Sequence, residues 1–239
     1  MSASNQSTVF VTGADKGLGY ALVKTFLAEG FIVFAGLYDP ASDLSDLNSD
    51  GRLHTVALDV SQMDSIKAAA QQVKASGVQL DILFNNAGIY PKLENLRPPL
   101  EEEDLDDGRL EAMMAVNAFG PIRMIQQFLP LMKADGMKRL TTISSEAGSI
   151  AECWRDSEIP YCMSKGALNR GLQIINHALA PKGFQLLALH PGWLRTDMGG
   201  ETATDDPMDA ARKMVDLCLQ DRGPEAHIYL NFDGREIAW

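Results

Sequence analysis

Residues 8–19, TVFVTGADKGLG, decide the fold. The apolar run TVFVTG is typical of a buried strand, and the segment 17–29 that follows has the apolar spacing of a helix. Gly13, Gly17 and Gly19 lie between the two. Glycine allows a tight turn and a close approach of a ligand to the backbone, and the free N–H groups at a helix start attract anions. The stretch therefore predicts a strand, a phosphate-binding turn and a helix; an ordinary glycine-rich turn is the alternative.

Strand and helix patterns continue to alternate along the chain. Apolar runs predict strands at 8–13, 31–36, 53–60, 80–88, 138–145, 184–192 and 227–231. Helical patterns cover 17–29, 62–76, 102–132, 161–180 and 207–220, with the acidic run EEEDLDD at 101–107 typical of a solvated helix start. Because the strands are apolar almost throughout, they should be buried on both faces. The pattern predicts one α/β domain over residues 1–239, with a doubly wound parallel sheet in a three-layer α/β/α arrangement.

The polar motifs follow the predicted strands. In open α/β sheets, ligands bind beyond the carboxyl ends of the strands. TGADKGLG, DV, NNAG, SSEAG and HPGWLRTDM follow the first, third, fourth, fifth and sixth strands. We therefore expect a single site at this edge of the sheet.

Composition and charge exclude several classes of protein. The apolar fraction of 46% and the charged fraction of 22% are ordinary for a globular protein. The net charge of −11 disfavours nucleic acid or an anionic membrane as a partner. The cysteines and histidines lack metal-ligand spacing, so we expect no metal site. The first residues do not have the pattern of a signal peptide and no apolar run is long enough to span a bilayer, so we expect a cytoplasmic protein.

The stretch IPYCMSKGALNRG, residues 159–171, places Tyr161 and Lys165 four residues apart in a predicted helix. Side chains at i and i+4 lie on the same helix face. A nearby positive charge favours the phenolate and lowers the pKa of a tyrosine. The pair therefore predicts a phenol that can act as an acid or a base, although a surface contact between the two side chains is the alternative.

In their order along the chain, the motifs resemble those of the short-chain dehydrogenase/reductase family. The resemblance rests on TGADKGLG, Asp59–Val60, NNAG at 85–88, Asn117, SSEAG at 144–148, Tyr161 with Lys165, and PG at 191–192. HPGWLRTDMGG and the ending DGREIAW further resemble the carbonyl-reductase-like branch that includes the Sniffer and C-factor proteins. The resemblance implies a Rossmann fold, a nicotinamide cofactor and hydride transfer to a carbonyl or from a secondary alcohol.

The resemblance also implies catalytic roles. Tyr161 would be the general acid/base, and Lys165 would lower its pKa and hydrogen-bond the nicotinamide ribose. Ser145 would hold the substrate oxygen, because it is the second serine of the motif; Ser144 is its neighbour, and a serine that only caps a turn remains open. Asn117 would take part in a water-mediated proton relay to Lys165, or would form only local hydrogen bonds.

Cofactor-binding residues follow from the resemblance as well. Asp59 and Val60 would reach the adenine, and the backbone of 86–88 would line the adenosine side. Residues after the sixth strand would meet the nicotinamide carboxamide and the diphosphate. The full set is Gly13, Lys16, Gly17, Leu18, Gly19, Tyr38, Asp59, Val60, Asn86, Ala87, Gly88, Tyr161, Lys165, Pro191, Leu194 and Thr196.

The choice between NADP and NAD depends on the glycine turn and the end of the second strand. Lys16 offers a cation to the 2′-phosphate of NADP. Relatives that prefer NADP often have a basic residue where Tyr38 stands. Position 37 is Leu, so no acid there would repel the 2′-phosphate, and Asp39 lies one residue later than the carboxylate that usually recognises the NAD ribose. We therefore expect NADP(H), with NAD(H) as the alternative if Asp39 turns inward.

The segment between Ser145 and Tyr161 is longer than is common in the family. The extra residues lie in SIAECWRDSEIP, and together with Trp193 and Met198 they suggest an apolar pocket, or side chains that merely pack the loop. We expect a small carbonyl or alcohol substrate of apolar character. A homodimer or homotetramer through helices 102–132 and 161–180 is common in the family. The rival function is a dinucleotide-binding sensor or signalling protein with little turnover.

Overall fold

A continuous parallel sheet forms the centre of the molecule. The computed structural model describes residues 6–47, 50–90, 108–223 and 226–239. The strands are β1 Thr8–Thr12, β2 Ile32–Leu37, β3 Leu53–Ala57, β4 Ile82–Asn85, β5 Arg139–Ile143, β6 Gln185–His190 and β7 Tyr229–Asn231. They pair in parallel in the order β3-β2-β1-β4-β5-β6-β7. The predicted doubly wound parallel sheet is confirmed.

Helices cover both faces of this sheet. They are α1 Gly17–Ala28, α2 Met63–Ala75, α3 Arg109–Met113, α4 Gly120–Phe128, α5 Ile159–Leu179 and α6 Pro207–Leu219. A π-helical turn, Met114–Phe119, joins α3 to α4. In the described part of the chain, no helix combines the length and the apolarity that crossing a membrane requires.

The predicted helix 102–132 is not one regular helix where it is described. Its acidic start, 101–107, lies outside the described residues. Proline at position 121 has no N–H for the carbonyl of Asn117 four residues earlier, and its ring would clash there. The π-helical turn places a wider turn at this point, as is common where a helix is interrupted. Pro130 then lies in a short 3₁₀ turn, Leu129–Leu131, that ends the segment.

Alternate residues of β1 face two different cores. Val9 and Val11 belong to the core that includes α1 and α6, whereas Phe10 belongs to the core that includes α2, α4 and α5. Phe10 packs edge-on against Phe128 of α4, with ring centroids 4.7 Å apart. All five residues of β1 are buried, which explains why the strand reads as a continuous apolar run and fixes the three-layer arrangement.

Candidate active site

The predicted motifs meet where β1 and β4 lie side by side. From this pair the strand order runs outward to β3 on one side and to β7 on the other, and such a switch point opens a crevice for ligands. Thr12 Oγ1, at the end of β1, accepts hydrogen bonds from the N–H groups of Asn86 and Ala87, each at 2.9 Å. Asn86 Nδ2 donates to the carbonyls of Thr12 and Gly13, each at 3.0 Å. Asn86 thus contributes its side chain, and not only its backbone, to this edge.

The glycine turn has no room for side chains. Gly13 and Gly17 have φ of 63° and 55°, a region that favours glycine. A Cβ on Gly13 would lie 2.8 Å from Cα of Ala87, and one on Gly19 would lie 1.9 Å from the carbonyl oxygen of Gly13. A Cβ on Gly17 would lie 3.2 Å from Cγ2 of Thr196, so the loop after β6 borders the turn. The glycine turn therefore packs tightly against itself and against the loops after β4 and β6.

Lys16 lies at the N-cap position of α1 but forms no side-chain capping bond within the described structure. The N–H groups of the first helical turn are left for a ligand, as a diphosphate site requires. Lys16 Nζ forms an exposed ion pair with Asp197 Oδ2 at 2.6 Å. This pair connects the glycine turn with the loop after β6.

The end of β2 is held by Asp15, which sequence reasoning missed. Its carboxylate accepts the N–H groups of Tyr38 at 3.1 Å and Asp39 at 2.7 Å. Asp39 Oδ1 accepts the N–H of Ala41 at 2.9 Å, so its side chain closes a local turn. The Tyr38 side chain is exposed. The inward Asp39 that would have favoured NAD(H) is therefore not observed, but Asp15 brings another carboxylate close to the same strand end.

The remaining predicted cofactor residues also lie in segments that follow strands. Asp59 Oδ1 accepts the N–H and the hydroxyl of Ser61 at 2.9 and 2.7 Å, so its carboxylate is used locally. Val60 is buried against Gly120. The others are Leu18 in the first turn of α1, Gly88 after β4, and Pro191, Leu194 and Thr196 after β6.

Tyr161 lies in the first turn of α5, with its ring edge-on to Tyr90 at a centroid distance of 4.7 Å. Burial raises the pKa of Tyr161 to about 12, and a hydrogen bond with the Ser145 side chain acts in the opposite direction. Lys165 Nζ lies 5.8 Å from the centre of the Tyr161 ring. In this structure the pKa of Tyr161 lies above its ordinary value because loss of solvent disfavours the phenolate more strongly than Ser145 and the nearby Arg155 favour it. The lowering by Lys165 stays a prediction.

Lys165 is itself buried. Its Nζ donates to the carbonyl of Ile143, the last residue of β5, at 3.0 Å. Burial lowers the pKa of Lys165 to about 8. A Cβ on Gly88 would lie 3.9 Å from this Nζ and 3.4 Å from Oδ1 of Asn117. The ammonium therefore lies between α5, the end of β5 and the loop after β4.

Asn117 is fully buried in the π-helical turn. Its Oδ1 accepts the N–H of Ile89 at 2.8 Å, and its Nδ2 donates to the carbonyl of Ile89 at 2.9 Å and to Oγ of Ser164 at 3.1 Å. One amide hydrogen is thus used to hold the loop after β4 and the other is bonded to α5. Asn117 therefore forms the local hydrogen bonds that were one of the two alternatives from the sequence. Its main-chain carbonyl lacks the helical N–H donor four residues later, because residue 121 is proline.

The two serines after β5 have different partners. Ser144 Oγ donates to Oδ1 of Asn169 at 2.5 Å, which ties the strand end to α5. Ser145 Oγ donates to Oε2 of Glu146 at 2.7 Å and accepts the N–H of Ala147 at 3.2 Å. The Ser145 side chain is also close enough to Tyr161 to act on the pKa of the phenol, which it lowers. The structure therefore brings Ser145 to the phenol, and Ser145 caps the turn at the same time.

Sequence reasoning missed four side chains that surround this pair. Arg155 Nη2 forms an ion pair with Oε1 of Glu146 at 2.6 Å, and its Nη1 pairs with Glu158. Glu158 also accepts a hydrogen bond from the Tyr90 hydroxyl. The one available indication was a charged residue inside the long segment between Ser145 and the tyrosine.

The apolar residues expected to form a pocket are exposed. Ile150 is 86% exposed and Trp154 71%, while Trp193 and Met198 are both 48% exposed. The guanidinium of Arg155 lies over the Trp154 ring, 5.0 Å from its centre. These side chains are exposed on the loops that follow β5 and β6 and do not fill the interior of the loop.

Comparison with known proteins agrees with this geometry. The family model described as short chain dehydrogenase matches residues 7–207. An oxidoreductase of Schizosaccharomyces pombe is 31% identical over 221 residues, which cover 91% of this chain and 84% of that protein. The C-signal protein of Myxococcus xanthus is 33% identical over 161 residues, covering 67% of this chain and 93% of that protein.

Solved structures resemble the whole fold. A short-chain dehydrogenase/reductase of Burkholderia multivorans with bound NADP has a TM-score of 0.86 at 30% identity, covering 98% of this chain and 100% of that one. The carbonyl reductase Sniffer of D. melanogaster has a TM-score of 0.86 at 26% identity with the same coverage. An NADPH-bound carbonyl reductase from chicken fatty liver has a TM-score of 0.84 at 30% identity, covering 98% and 99%. The chain therefore belongs to the short-chain dehydrogenase/reductase family of oxidoreductases, in its carbonyl-reductase-like branch.

Proposed function

We propose that this protein is an NADP(H)-dependent oxidoreductase that interconverts a carbonyl compound and a secondary alcohol. The observation that carries the proposal is the meeting of Tyr161 with Ser145 at the carboxyl edge of the sheet, next to the buried ammonium of Lys165. A phenol, a hydroxyl and an ammonium in one place are the groups that proton transfer to a carbonyl oxygen requires.

The residues present fit a dinucleotide. The glycine turn has the positive φ angles that glycine favours, and the first turn of α1 after it offers N–H groups to a diphosphate. We propose that the cofactor-binding residues predicted from the sequence contact the dinucleotide. Lys16 would release Asp197 and bind the 2′-phosphate of NADP. Two similar structures contain NADP or NADPH, which supports this cofactor. When bound, the nicotinamide supplies or accepts the hydride.

Tyr161 acts as the acid in the reductive direction. With its pKa near 12, the phenol is protonated at neutral pH and can donate its proton to the carbonyl oxygen. Ser145 donates its hydroxyl hydrogen to the same oxygen once this hydrogen turns away from Glu146, and so orients the carbonyl. Lys165, with a pKa near 8, is mainly charged at neutral pH and stabilises the phenolate that remains.

Asn117 holds the relay that returns the proton. Because its amide hydrogens are bonded to Ile89 and Ser164, a relay water would bind the main-chain carbonyl of Asn117 instead. From there the proton would pass through Lys165 to the tyrosine. This assignment keeps the role that the family resemblance implied and moves it from the side chain to the backbone.

The substrate should be small and apolar, as the exposed surface of Ile150, Trp154, Trp193 and Met198 supports. We also propose a homodimer or homotetramer, since α5 and the adjoining π-helical turn expose Phe119, Met163 and Ile174. Light scattering coupled to size-exclusion chromatography would measure the assembly. The cytoplasmic location stays a prediction.

Turnover separates the enzyme from a sensor. The protein is mixed with NADPH or NADH and a panel of aldehydes, ketones and quinones, and cofactor absorbance is followed. Tyr161→Phe should remove turnover and leave NADPH affinity nearly unchanged, because the ring and its packing against Tyr90 are kept. Full activity of this variant would refute the acid/base assignment. Tight NADPH binding with no turnover on any carbonyl would favour the sensor.

Cofactor choice has its own test. Lys16→Ala should weaken NADP binding and leave NAD binding unchanged, because only NADP carries the 2′-phosphate. Asp197→Ala is the matched control: it removes the competing carboxylate and keeps the ammonium, so NADP affinity should stay or rise. An unchanged NADP affinity in Lys16→Ala would contradict the assignment.

A further inference from the structure

The long segment before α5 links the two proposed catalytic side chains through one arginine. Ser145 Oγ donates to Oε2 of Glu146 at 2.7 Å, and Oε1 of the same carboxylate accepts from Arg155 Nη2 at 2.6 Å. The other terminal nitrogen of Arg155, Nη1, pairs with Oε2 of Glu158. One planar guanidinium therefore holds two carboxylates at a fixed spacing.

The second carboxylate, that of Glu158, is connected to the Tyr161 phenol through Tyr90. Glu158 Oε1 accepts a hydrogen bond from the Tyr90 hydroxyl. The Tyr90 ring stands edge-on to Tyr161, with an interplanar angle of 89°. The contacts therefore form a chain that runs from Ser145 through Glu146, Arg155, Glu158 and Tyr90 to the ring of Tyr161.

Each arm of this chain restricts one reacting group. Ser145 Oγ donates to Glu146 and accepts from Ala147 N–H, so two partners fix the position of its oxygen. Glu158 is only 6% exposed and has φ of 67°, a conformation uncommon for a residue with a side chain. It immediately precedes α5, whose first turn carries Tyr161.

Arg155 also offsets part of the negative charge next to the phenol. Its side chain is only 18% exposed, and it lies between the half-buried carboxylate of Glu146 and the buried carboxylate of Glu158. Burial raises the pKa of Glu146, but hydrogen bonds from Arg155 and Ser145 and the nearby positive charge bring it below its ordinary value. Without the guanidinium, both carboxylates would lose their shared partner.

We propose that Arg155 is a positioning residue for the reaction, which orients Ser145 through Glu146 and the Tyr161 ring through Glu158 and Tyr90. The inference rests on the proposed function. It concerns a segment whose length departs from the common family pattern, and none of the motifs that identify the family contains this arginine.

The test compares Arg155→Ala with the wild type on the best carbonyl substrate of the panel. Misplaced reacting groups should lower kcat by about 10- to 100-fold, with the affinity for NADPH unchanged. Guanidinium chloride at low concentration should restore part of the lost kcat in Arg155→Ala and none in Tyr161→Phe. The matched control is Arg212→Ala, which removes an exposed arginine paired with Asp209 on α6 and should keep the wild-type kcat without a response to guanidinium.

Two isosteric variants test the arms separately. Glu146→Gln and Glu158→Gln should each lower kcat. In Arg155→Ala, the further change Glu146→Gln should lower kcat only slightly more, since both substitutions break the connection from Arg155 through Glu146 to Ser145. If Arg155→Ala does not fold, these two variants decide, and a wild-type kcat in both overturns the inference.

The remaining outcomes separate the inference from the proposed function. If Arg155→Ala keeps the wild-type kcat, the inference is overturned and the proposed function stands. A loss that guanidinium does not restore and that adds fully to that of Glu146→Gln assigns Arg155 a purely structural role and also overturns it. A wild type that reduces no carbonyl removes the proposed function and this inference together.

Discussion

Lys165 should make the folded protein more stable as the pH rises above 8. Burial lowers its pKa from 10.5 to about 8. Between these values the unfolded chain still holds a proton on Lys165 that the folded protein has released. The free energy of unfolding rises with pH wherever the unfolded state binds more protons. The buried ammonium therefore destabilises the fold at neutral pH, and this effect disappears as the pH approaches 10.5.

The size of the effect follows from the two pKa values. One unit of pKa corresponds to about 1.4 kcal/mol, so the interval from about 8 to 10.5 corresponds to about 3 kcal/mol. Methionine has similar length and does not titrate. Lys165→Met also loses the hydrogen bond to Ile143, but it does so at every pH, so this loss does not affect the pH dependence. Relative to the variant, the wild type should gain about 3 kcal/mol between about pH 7 and 10.5.

Urea unfolding of both proteins across that pH range measures the difference directly, since other titrating groups are common to both and cancel. Lys213→Met is the control, because Lys213 is exposed and a hydrogen bond to Asp233 raises its pKa. The gain seen with Lys165 should be absent there. A difference between the wild type and Lys165→Met that stays constant with pH would show that the ammonium is not desolvated in the folded protein, and the argument would fail.

Two substitutions of glycine and one of aspartate extend the tests. Gly19→Ala should abolish NADPH binding in a fluorescence titration, because the new Cβ would lie 1.9 Å from a carbonyl oxygen; retained affinity would contradict the close approach. Gly166→Ala, where the nearest atom is 3.8 Å away, should raise the free energy of unfolding by about 0.5–1 kcal/mol. Asp81→Ala should lower it by about 2–3 kcal/mol in urea, because buried Asp81 accepts bonds from Thr8 N–H and Lys133; a change below about 1 kcal/mol would contradict this.

The sheet and most helices could be predicted because their signals are local. Strand 8–13 is apolar in every position that the two cores bury, and helix 17–29 follows from the spacing of its apolar residues. The predicted strand 80–88 was too long, since only Ile82–Asn85 is extended and the NNAG that follows bonds to Thr12. The carboxyl-edge site could be predicted because the polar motifs follow the strands and the carboxyl ends of parallel strands lie at one edge of the sheet.

Long-range pairs could not be predicted in the same way. Lys16 and Asp197 are neighbours in space but 181 residues apart, so no spacing rule connects them. The pKa of Tyr161 depends on how much solvent the fold removes, which the pair with Lys165 does not reveal. The π-helical turn was different: Pro121 was visible in the sequence, and its effect on the preceding turn could have been inferred.

Thr12 gives the crevice a fixed width. Its hydroxyl and carbonyl bond three N–H groups of the β4 loop, so the two walls cannot separate without breaking several bonds at once. A ligand that binds beside these two segments does not have to order their backbone, so its affinity is not reduced by the entropy that such ordering would cost. On this side of the crevice, the association rate should therefore reflect diffusion and steering of charge rather than a slow rearrangement of the protein.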